Sequence, residues 1–173
     1  MEAGAIRPGY ELWRPNREKP EAKSARALVV FLLLVSAGLA LVITIGGWSR
    51  LEGGKVFALL YIAIYLLFAF LVARWNRGVL PVASALAIIL AIFAGIAAPA
   101  WFDRAKDGLT SPALPEELLG LLTLLLVPVQ VILIAVAMVA FNQDWHVEEE
   151  RPIGSGEDYG AGAPPDRDAP QPA

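Results

Sequence analysis

The sequence predicts an all-α integral membrane protein built as a bundle of four transmembrane helices. Hydrophobic residues make up 57% of the chain and charged residues 18%, and the two classes are strictly segregated. Four long runs, at 27–47, 56–73, 79–100 and 118–141, contain no charged residue and no histidine. A soluble helix keeps a polar face toward water, and these runs have none. At about 1.5 Å per residue, each run is long enough to cross a hydrocarbon layer of about 30 Å.

Helices are preferred over strands for these four runs. An open sheet in lipid would leave unpaired backbone groups at its edges, and no run alternates polar with apolar residues. The 21-residue first run is also too long for a cleaved signal peptide, so we interpret it as the first transmembrane span.

Residues 1–26 form a basic leader that we expect on the cytoplasmic side. Pro20 suits the first turn of a helix that continues into the first span. Tyr10 and Trp13 lie among arginines, which is typical either of a segment resting on anionic headgroups or of a loosely ordered leader.

The connections between the runs indicate how the spans are arranged. Those at 48–55 and 74–78 are short, which predicts that spans one, two and three pack as consecutive antiparallel neighbours. In the longer third connection, Pro115 followed by Glu116 and Glu117 predicts the start of the fourth helix, with acids in its positive first turn.

Basic residues predict the orientation of the chain. Of the 14 Lys and Arg residues, ten fall on the side of the membrane that holds both termini and four on the other side. The positive-inside rule therefore places both termini in the cytoplasm. The excess of Arg over Lys and the abundance of Ala resemble a high-GC bacterial proteome, so we expect a bacterial cytoplasmic membrane.

Tryptophans lie near the predicted span ends. Indole rings favour the headgroup level, so we interpret four of them as interfacial anchors: Trp48, Trp75, Trp101 and Trp145. Beyond the fourth span, residues 142–173 are acidic and rich in Pro and Gly, with few large apolar side chains. Such a segment buries too little surface to offset its ordering entropy, which predicts a disordered cytoplasmic tail.

Two helix faces are candidate contact surfaces. Span three carries small residues at four-residue spacing, at Ala83, Ala87, Ala91 and Gly95. This pattern permits close helix approach, so we expect a bulky residue anywhere on it to disturb packing. Span two carries an aromatic stripe of Phe57, Tyr61, Tyr65 and Phe68, either to pack along the small face or to form the wall of a site for a quinone, carotenoid or lipid tail.

Span four contains Pro128 near its middle, followed by Gln130. Proline removes a backbone hydrogen bond, so a kink is expected there, and a buried amide beside a kink is typical of either a binding site or a structural contact.

The sequence indicates no catalytic, metal or cofactor site. No ionisable acid or base lies within a span, which disfavours proton pumps and ion-coupled carriers. His146 is the only histidine, and we interpret it and its acidic neighbours as a solvated helix end. We therefore expect a non-catalytic accessory or scaffold subunit of a bacterial membrane complex. The alternative is a transporter or binding protein for an uncharged solute or lipid. The expected partners are the bilayer and other membrane subunits or further copies of the chain, and no nucleic acid.

Overall fold

The computed structural model describes residues 9–51, 53–104 and 112–153. The elements, in chain order, are β1 (Tyr10–Trp13), α1 (Pro15–Glu18), α2 (Pro20–Gly46), α3 (Lys55–Ala73), α4 (Val79–Arg104), α5 (Glu116–Phe141) and β2 (Glu149–Pro152). In this described part of the chain, the four helices α2 to α5 are long and apolar enough to cross a membrane. The protein is thus a helical membrane protein, as its composition predicts.

The helix boundaries follow from prolines and from the apolar runs. Pro20 occupies the first turn of α2, where its missing N–H is not needed, and Pro115 is the N-cap of α5. Two prolines lie in helix interiors, beyond the first turn. α4 continues past Pro99 to Arg104, and α5 continues past Pro128 to Phe141. Neighbouring helices satisfy backbone groups that an interior proline frees, so a membrane helix tolerates them.

The helices are not arranged as the short connections predict. α5 packs against both α2 and α4, and α2 also packs against α3, whereas α3 and α4 barely touch. The expected packing of span two on span three is therefore wrong for most of their length. The short turn at 74–78 brings only the adjoining ends of α3 and α4 together, and it does not hold the rest of the two helices in contact.

Buried residues recur at alternating spacings of three and four along the helices. In α5 the buried row contains Leu119, Thr123, Leu126, Gln130, Leu133, Ala137 and Ala140. In α4 the row contains Leu80, Ser84, Ala87, Ala94, Ala98 and Trp101. This spacing is the seam of a left-handed bundle, in which side chains of one helix insert between those of the next.

The bundle has two separate cores. At one end, named the Trp75 end, α2 begins, α5 ends and the α3–α4 turn lies. There the core draws on all four long helices, with Val29, Tyr65, Leu80 and Leu133 among its buried members. At the opposite end, named the Trp48 end, the core consists of Ile43, Ala94, Trp101, Leu119 and Leu126. Among the described residues, α3 contributes nothing to this second core.

The outer surface of the bundle is apolar, as a lipid-facing surface requires. Large hydrophobic side chains are exposed along all four long helices, including Phe31, Leu67, Ile92, Phe93 and Val131. Such a surface is not compatible with water, and it accounts for the uniform hydrophobicity of the runs.

The Trp75 end is held together by arginine–tryptophan contacts between the beginning and the end of the bundle. The guanidinium of Arg26 lies 4.3 Å from the centre of the Trp75 ring and donates to the carbonyl of Ala73 at 3.0 Å. Trp75 in turn meets Trp145 edge to face, at 5.2 Å between ring centres. Arg17 Nε donates to the carbonyl of Trp145 at 2.9 Å. These contacts form a clasp that joins α1 and α2 to the segment after α5.

The Trp48 end contains close helix approaches that depend on glycine. A Cβ atom added to Gly47 would lie 2.6 Å from Cη2 of Trp101, so only glycine leaves room for this ring. Leu114 N donates to the carbonyl of Gly46 at 3.3 Å beside it. Arg50 Nε lies 3.5 Å from Oε1 of Glu116, a carboxylate that is almost fully buried.

A separate small unit is formed by residues 9–15 and 146–153. Strands β1 and β2 pair antiparallel, with Tyr10 opposite Pro152 and Trp13 opposite Glu149. Arg151 Nε donates to Glu11 Oε1 at 2.7 Å, and Arg14 is paired with Glu148.

This hairpin corrects part of the predicted tail. Disorder was expected from residue 142 onward, but residues 149–152 form a strand. The reason is the partner strand near the start of the chain, which supplies backbone hydrogen bonds that the composition of the tail does not reveal. The remaining tail, at 154–173, and residues 1–8 lie outside the described residues.

Candidate lipid-facing binding cleft

A cleft of 360 Å³ lies among the four long helices toward the Trp48 end. Its lining comes from α2 (Ala40, Ile43, Thr44), the following loop (Leu51, Gly54), α3 (Phe57, Ala58, Tyr61), α4 (Leu90, Phe93, Ala94, Ala97, Trp101) and α5 (Thr123, Leu126). Sites for small molecules typically enclose about 300–1,000 Å³ and are mostly apolar, so this cleft has the size and lining of a site for one small molecule.

The cleft has two causes. At the Trp48 end α3 does not pack into the core, and the residues that line the resulting space are small. Among the described residues, the buried core at this end is drawn from α2, α4 and α5. The residues facing the gap include Ala40, Ala58, Ala94 and Ala97, and alanine side chains are too short to fill it. Larger residues at these positions would fill the cleft.

The cleft opens sideways, toward lipid. α3 and α4 form its two rims and barely touch each other. Phe57 on one rim is 67% exposed and Phe93 on the other is 58% exposed. A molecule dissolved in the bilayer can therefore enter between the two helices without crossing the headgroup layer.

Three hydroxyl groups lie on the wall of the cleft, and two of them are already bonded. Thr44 Oγ1 donates to the carbonyl of Ala40 at 2.6 Å, and Thr123 Oγ1 donates to the carbonyl of Leu119 at 2.7 Å. The third belongs to Tyr61, which is half-buried. Within the described residues, the Tyr61 hydroxyl makes no hydrogen bond to another residue, so of the three hydroxyl groups it is the one available to a ligand.

Next to the cleft, a chain of hydrogen bonds crosses the bundle through its interior. Tyr65 Oη donates to Gln130 Oε1 at 2.9 Å, and Gln130 Nε2 donates to Ser36 Oγ at 2.9 Å. Ser36 Oγ then donates to the carbonyl of Leu32 at 2.7 Å. All three side chains are almost fully buried. The chain connects α3, α5 and α2, and the Tyr65 ring meets that of Tyr61 edge to face at 5.9 Å.

The predicted aromatic stripe is divided between three environments. Phe57 and Tyr61 line the cleft, Tyr65 is buried in the core, and Phe68 packs partly buried against that core. Of the two residues singled out on span four, Gln130 joins the hydrogen-bonded chain, whereas Pro128 is exposed on the outer surface. The sequence thus marked residues of both the cleft and the hydrogen-bonded chain. The aromatic stripe, however, does not form a single wall of one site as the sequence suggested.

The small residues of α4 that are buried are not all those of the predicted face. Ala83 and Ala87 are fully buried, Ala91 is half-buried and Gly95 is exposed. A Cβ atom on Gly95 would meet nothing within 4 Å. A helix turns about 100° per residue, so each four-residue step rotates the row by about 40° and carries Gly95 about 120° away from Ala83. The buried face continues instead through Ala94 and Ala98.

Two of the four predicted tryptophan anchors do not face lipid. Trp48 is 47% exposed and its ring lies 4.8 Å from the Lys55 ammonium, as expected at a membrane boundary. Trp75 is half-buried in the clasp, but Trp101 and Trp145 are almost fully buried. Trp145 turns inward because Asp144 adopts a left-handed conformation, with a φ of 48°, and pairs with Arg77.

Sequence reasoning missed most of the cleft lining. The available signal was the occurrence of small residues toward the Trp48 end of three helices, at Ala40, Ala58 and Ala97. His146 is exposed, and no group of three metal-ligating side chains occurs within the described residues.

The comparisons with known proteins add no relative. No protein-family model, no curated protein and no solved structure matches this chain.

Proposed function

We propose that this chain is a non-catalytic membrane protein that binds one uncharged, lipid-like molecule in the cleft between α3 and α4. The observation that carries the proposal is the 360 Å³ apolar cleft with its sideways opening. The described residues that line it include no carboxylate, imidazole, amine or guanidinium group. A charged ligand would have to enter hydrocarbon without a counter-charge, at a cost of several kcal/mol, so the chemistry favours a neutral one.

Blocking the cleft provides the test. Ala97 lines the cleft and is exposed, so Ala97→Phe is expected to fill the space without disturbing the core. The wild-type protein, purified in a mild detergent, should carry a bound neutral molecule that native mass spectrometry detects. Ala97→Phe should lose most of it.

The matched control is Ala85→Phe, the same change at an exposed position of α4 outside the cleft, which should retain the ligand. Equal ligand content in both variants would count against the cleft as the binding site. A wild-type protein free of any neutral ligand would count against the proposed function.

The second candidate is the accessory or scaffold subunit expected from the sequence. The observation in its favour is that Gly95 lies exposed on α4 with open space around it, so another helix can approach closely there. Stable stoichiometric partners in a mild-detergent purification would support this role, and a lone chain carrying a lipid would support the first.

We also propose that both termini lie in the cytoplasm of a bacterium. Ser24 at the Trp75 end and Ser49 at the Trp48 end are both exposed, and the chain contains no cysteine that would confuse labelling. In intact cells, Ser49→Cys should react with a membrane-impermeant maleimide, and Ser24→Cys should react only after the membrane is opened. The reverse pattern would place both termini outside.

A further inference from the structure

We infer that the ligand of the cleft is a neutral quinone-type compound whose carbonyl oxygen accepts a hydrogen bond from Tyr61. This inference rests on the proposed binding function and assigns a chemical class to the ligand. It starts from the hydroxyl of Tyr61, which lies on the wall of a mostly apolar cleft and has no hydrogen-bond partner within the described residues.

The depth of Tyr61 makes its free hydroxyl informative. α3 has 19 residues and therefore spans about 28 Å, close to the thickness of the hydrocarbon layer. Tyr61 lies six residues after Lys55, so its Cα is about 9 Å inside that layer. A side chain on a helix leans toward the N-terminus of that helix, so the hydroxyl lies between this level and the edge of the hydrocarbon layer. Water is scarce there, so an unpaired hydroxyl is costly, and a ligand that accepts its hydrogen bond removes that cost.

The position of the Tyr61 ring is set by its surroundings. Its edge-to-face contact is with Tyr65, whose own hydroxyl is held by Gln130 at 2.9 Å. The other two hydroxyl groups of the lining, those of Thr44 and Thr123, already donate to carbonyls of their own helices. Tyr61 is therefore the group that can select a ligand by a polar contact.

At this depth a phospholipid is the poorer source of the acceptor. Its ester carbonyls stay near the headgroups, and the chains that reach the level of Tyr61 carry no acceptor. A molecule that dissolves within the hydrocarbon layer supplies the acceptor more readily. Phe57, Phe93 and Trp101 also line the cleft, and such rings pack well against a flat ring. A quinone combines a flat ring, a carbonyl acceptor and an apolar chain.

The experiment compares two probes that share a flat six-membered carbon ring and a decyl chain, of which only one carries carbonyl groups. Wild type and Tyr61→Phe are reconstituted in phosphatidylcholine nanodiscs and titrated with 2-decyl-1,4-benzoquinone, while decylbenzene is measured by displacement of the quinone. Tyr61→Phe loses one neutral hydrogen bond, so its Kd for the quinone should be about 2–12-fold higher than that of wild type. Decylbenzene should bind both proteins alike. Tyr10→Phe, which removes a hydroxyl from the terminal hairpin, is the control and should bind the quinone like wild type.

Two results would overturn the inference and leave the binding function intact. One is unchanged quinone affinity in Tyr61→Phe while Ala97→Phe abolishes binding. The other is a tightly held phospholipid that the quinone does not displace. If neither probe binds wild type and Ala97→Phe changes nothing, the proposed function itself fails. Equal melting temperatures of wild type and Tyr61→Phe would exclude an effect through misfolding.

Discussion

Ala87→Leu is expected to lower the free energy of unfolding by about 1–3 kcal/mol, because it inserts three carbon atoms into a filled space. Ala87 is fully buried and belongs to the same core as Leu80, Leu133 and Ala137. Helices in lipid gain little from hydrophobicity and depend on close contact, so a residue that separates α4 from its neighbours removes much of what holds them. The measurement is the melting temperature of the purified protein in a mild detergent.

Gly95→Leu is the matched comparison, and it should leave the melting temperature almost unchanged. Gly95 is exposed and a side chain there meets open space. The sequence alone predicts equal damage at both positions, so the two variants separate the observed packing face from the four-residue pattern. Similar losses in both would mean that the exposed side of α4 is covered by another copy or subunit.

Gln130→Leu is expected to destabilise the bundle by about 1–3 kcal/mol, because it leaves buried polar groups without partners. Leucine fills a similar volume, so the loss is not that of a cavity. The Tyr65 hydroxyl would lose its acceptor, and Ser36 Oγ would lose the N–H that it accepts. In a bilayer no water replaces either group.

Adding Tyr65→Phe to Gln130→Leu should recover part of this loss. Replacing both partners of a hydrogen bond by apolar groups is much less costly than replacing one. The double variant should therefore melt above the single Gln130→Leu variant. If the losses of stability in Tyr65→Phe and Gln130→Leu simply add in the double variant, then Gln130 does not stabilise the bundle through its hydrogen bond with Tyr65.

The sequence predicted the helices well because their causes are local. The four apolar runs exclude charge for about the length of a bilayer, and Pro20 and Pro115 mark the first turns of two helices. Each predicted span is contained in one of the observed helices to within one residue at its ends. The differences are that α2 begins before the predicted start of its span, at Pro20, and that α4 continues past the predicted end of its span, to Arg104. Hydrophobicity and proline act within a few residues, so they are visible without knowledge of neighbouring helices.

Helix neighbours and the cleft could not be predicted in the same way. Runs that are apolar on all sides give no sign of which side faces a helix and which faces lipid. The uniform hydrophobicity of α4 hides the rotation that exposes Gly95 and buries Ala94. Two features of the packing determine which alanines line the cleft. α4 pairs with α5, and α3 contributes no residue to the core at the Trp48 end within the described part of the chain.

The polar chain was partly visible. Gln130 is unusual in an apolar run, and the sequence marked it, but its partners Tyr65 and Ser36 lie 65 and 94 residues away. No spacing rule connects residues at such separations. Tyr61 and Tyr65 are one turn apart, yet one faces the cleft and the other the core, a difference that depends on where α3 leaves its neighbours.

The position of α5 between α2 and α4 has a consequence for biogenesis. Spans enter the membrane in chain order, so α2 and α4 are both synthesised before their common neighbour exists. α4 has almost no contact with α3, which precedes it, and packs chiefly on α5, which follows it. A nascent chain of three spans therefore presents the small-residue side of α4 to lipid or to an insertion factor. A protein lacking α5 should be inserted but unassembled, and thereby exposed to membrane quality-control proteases.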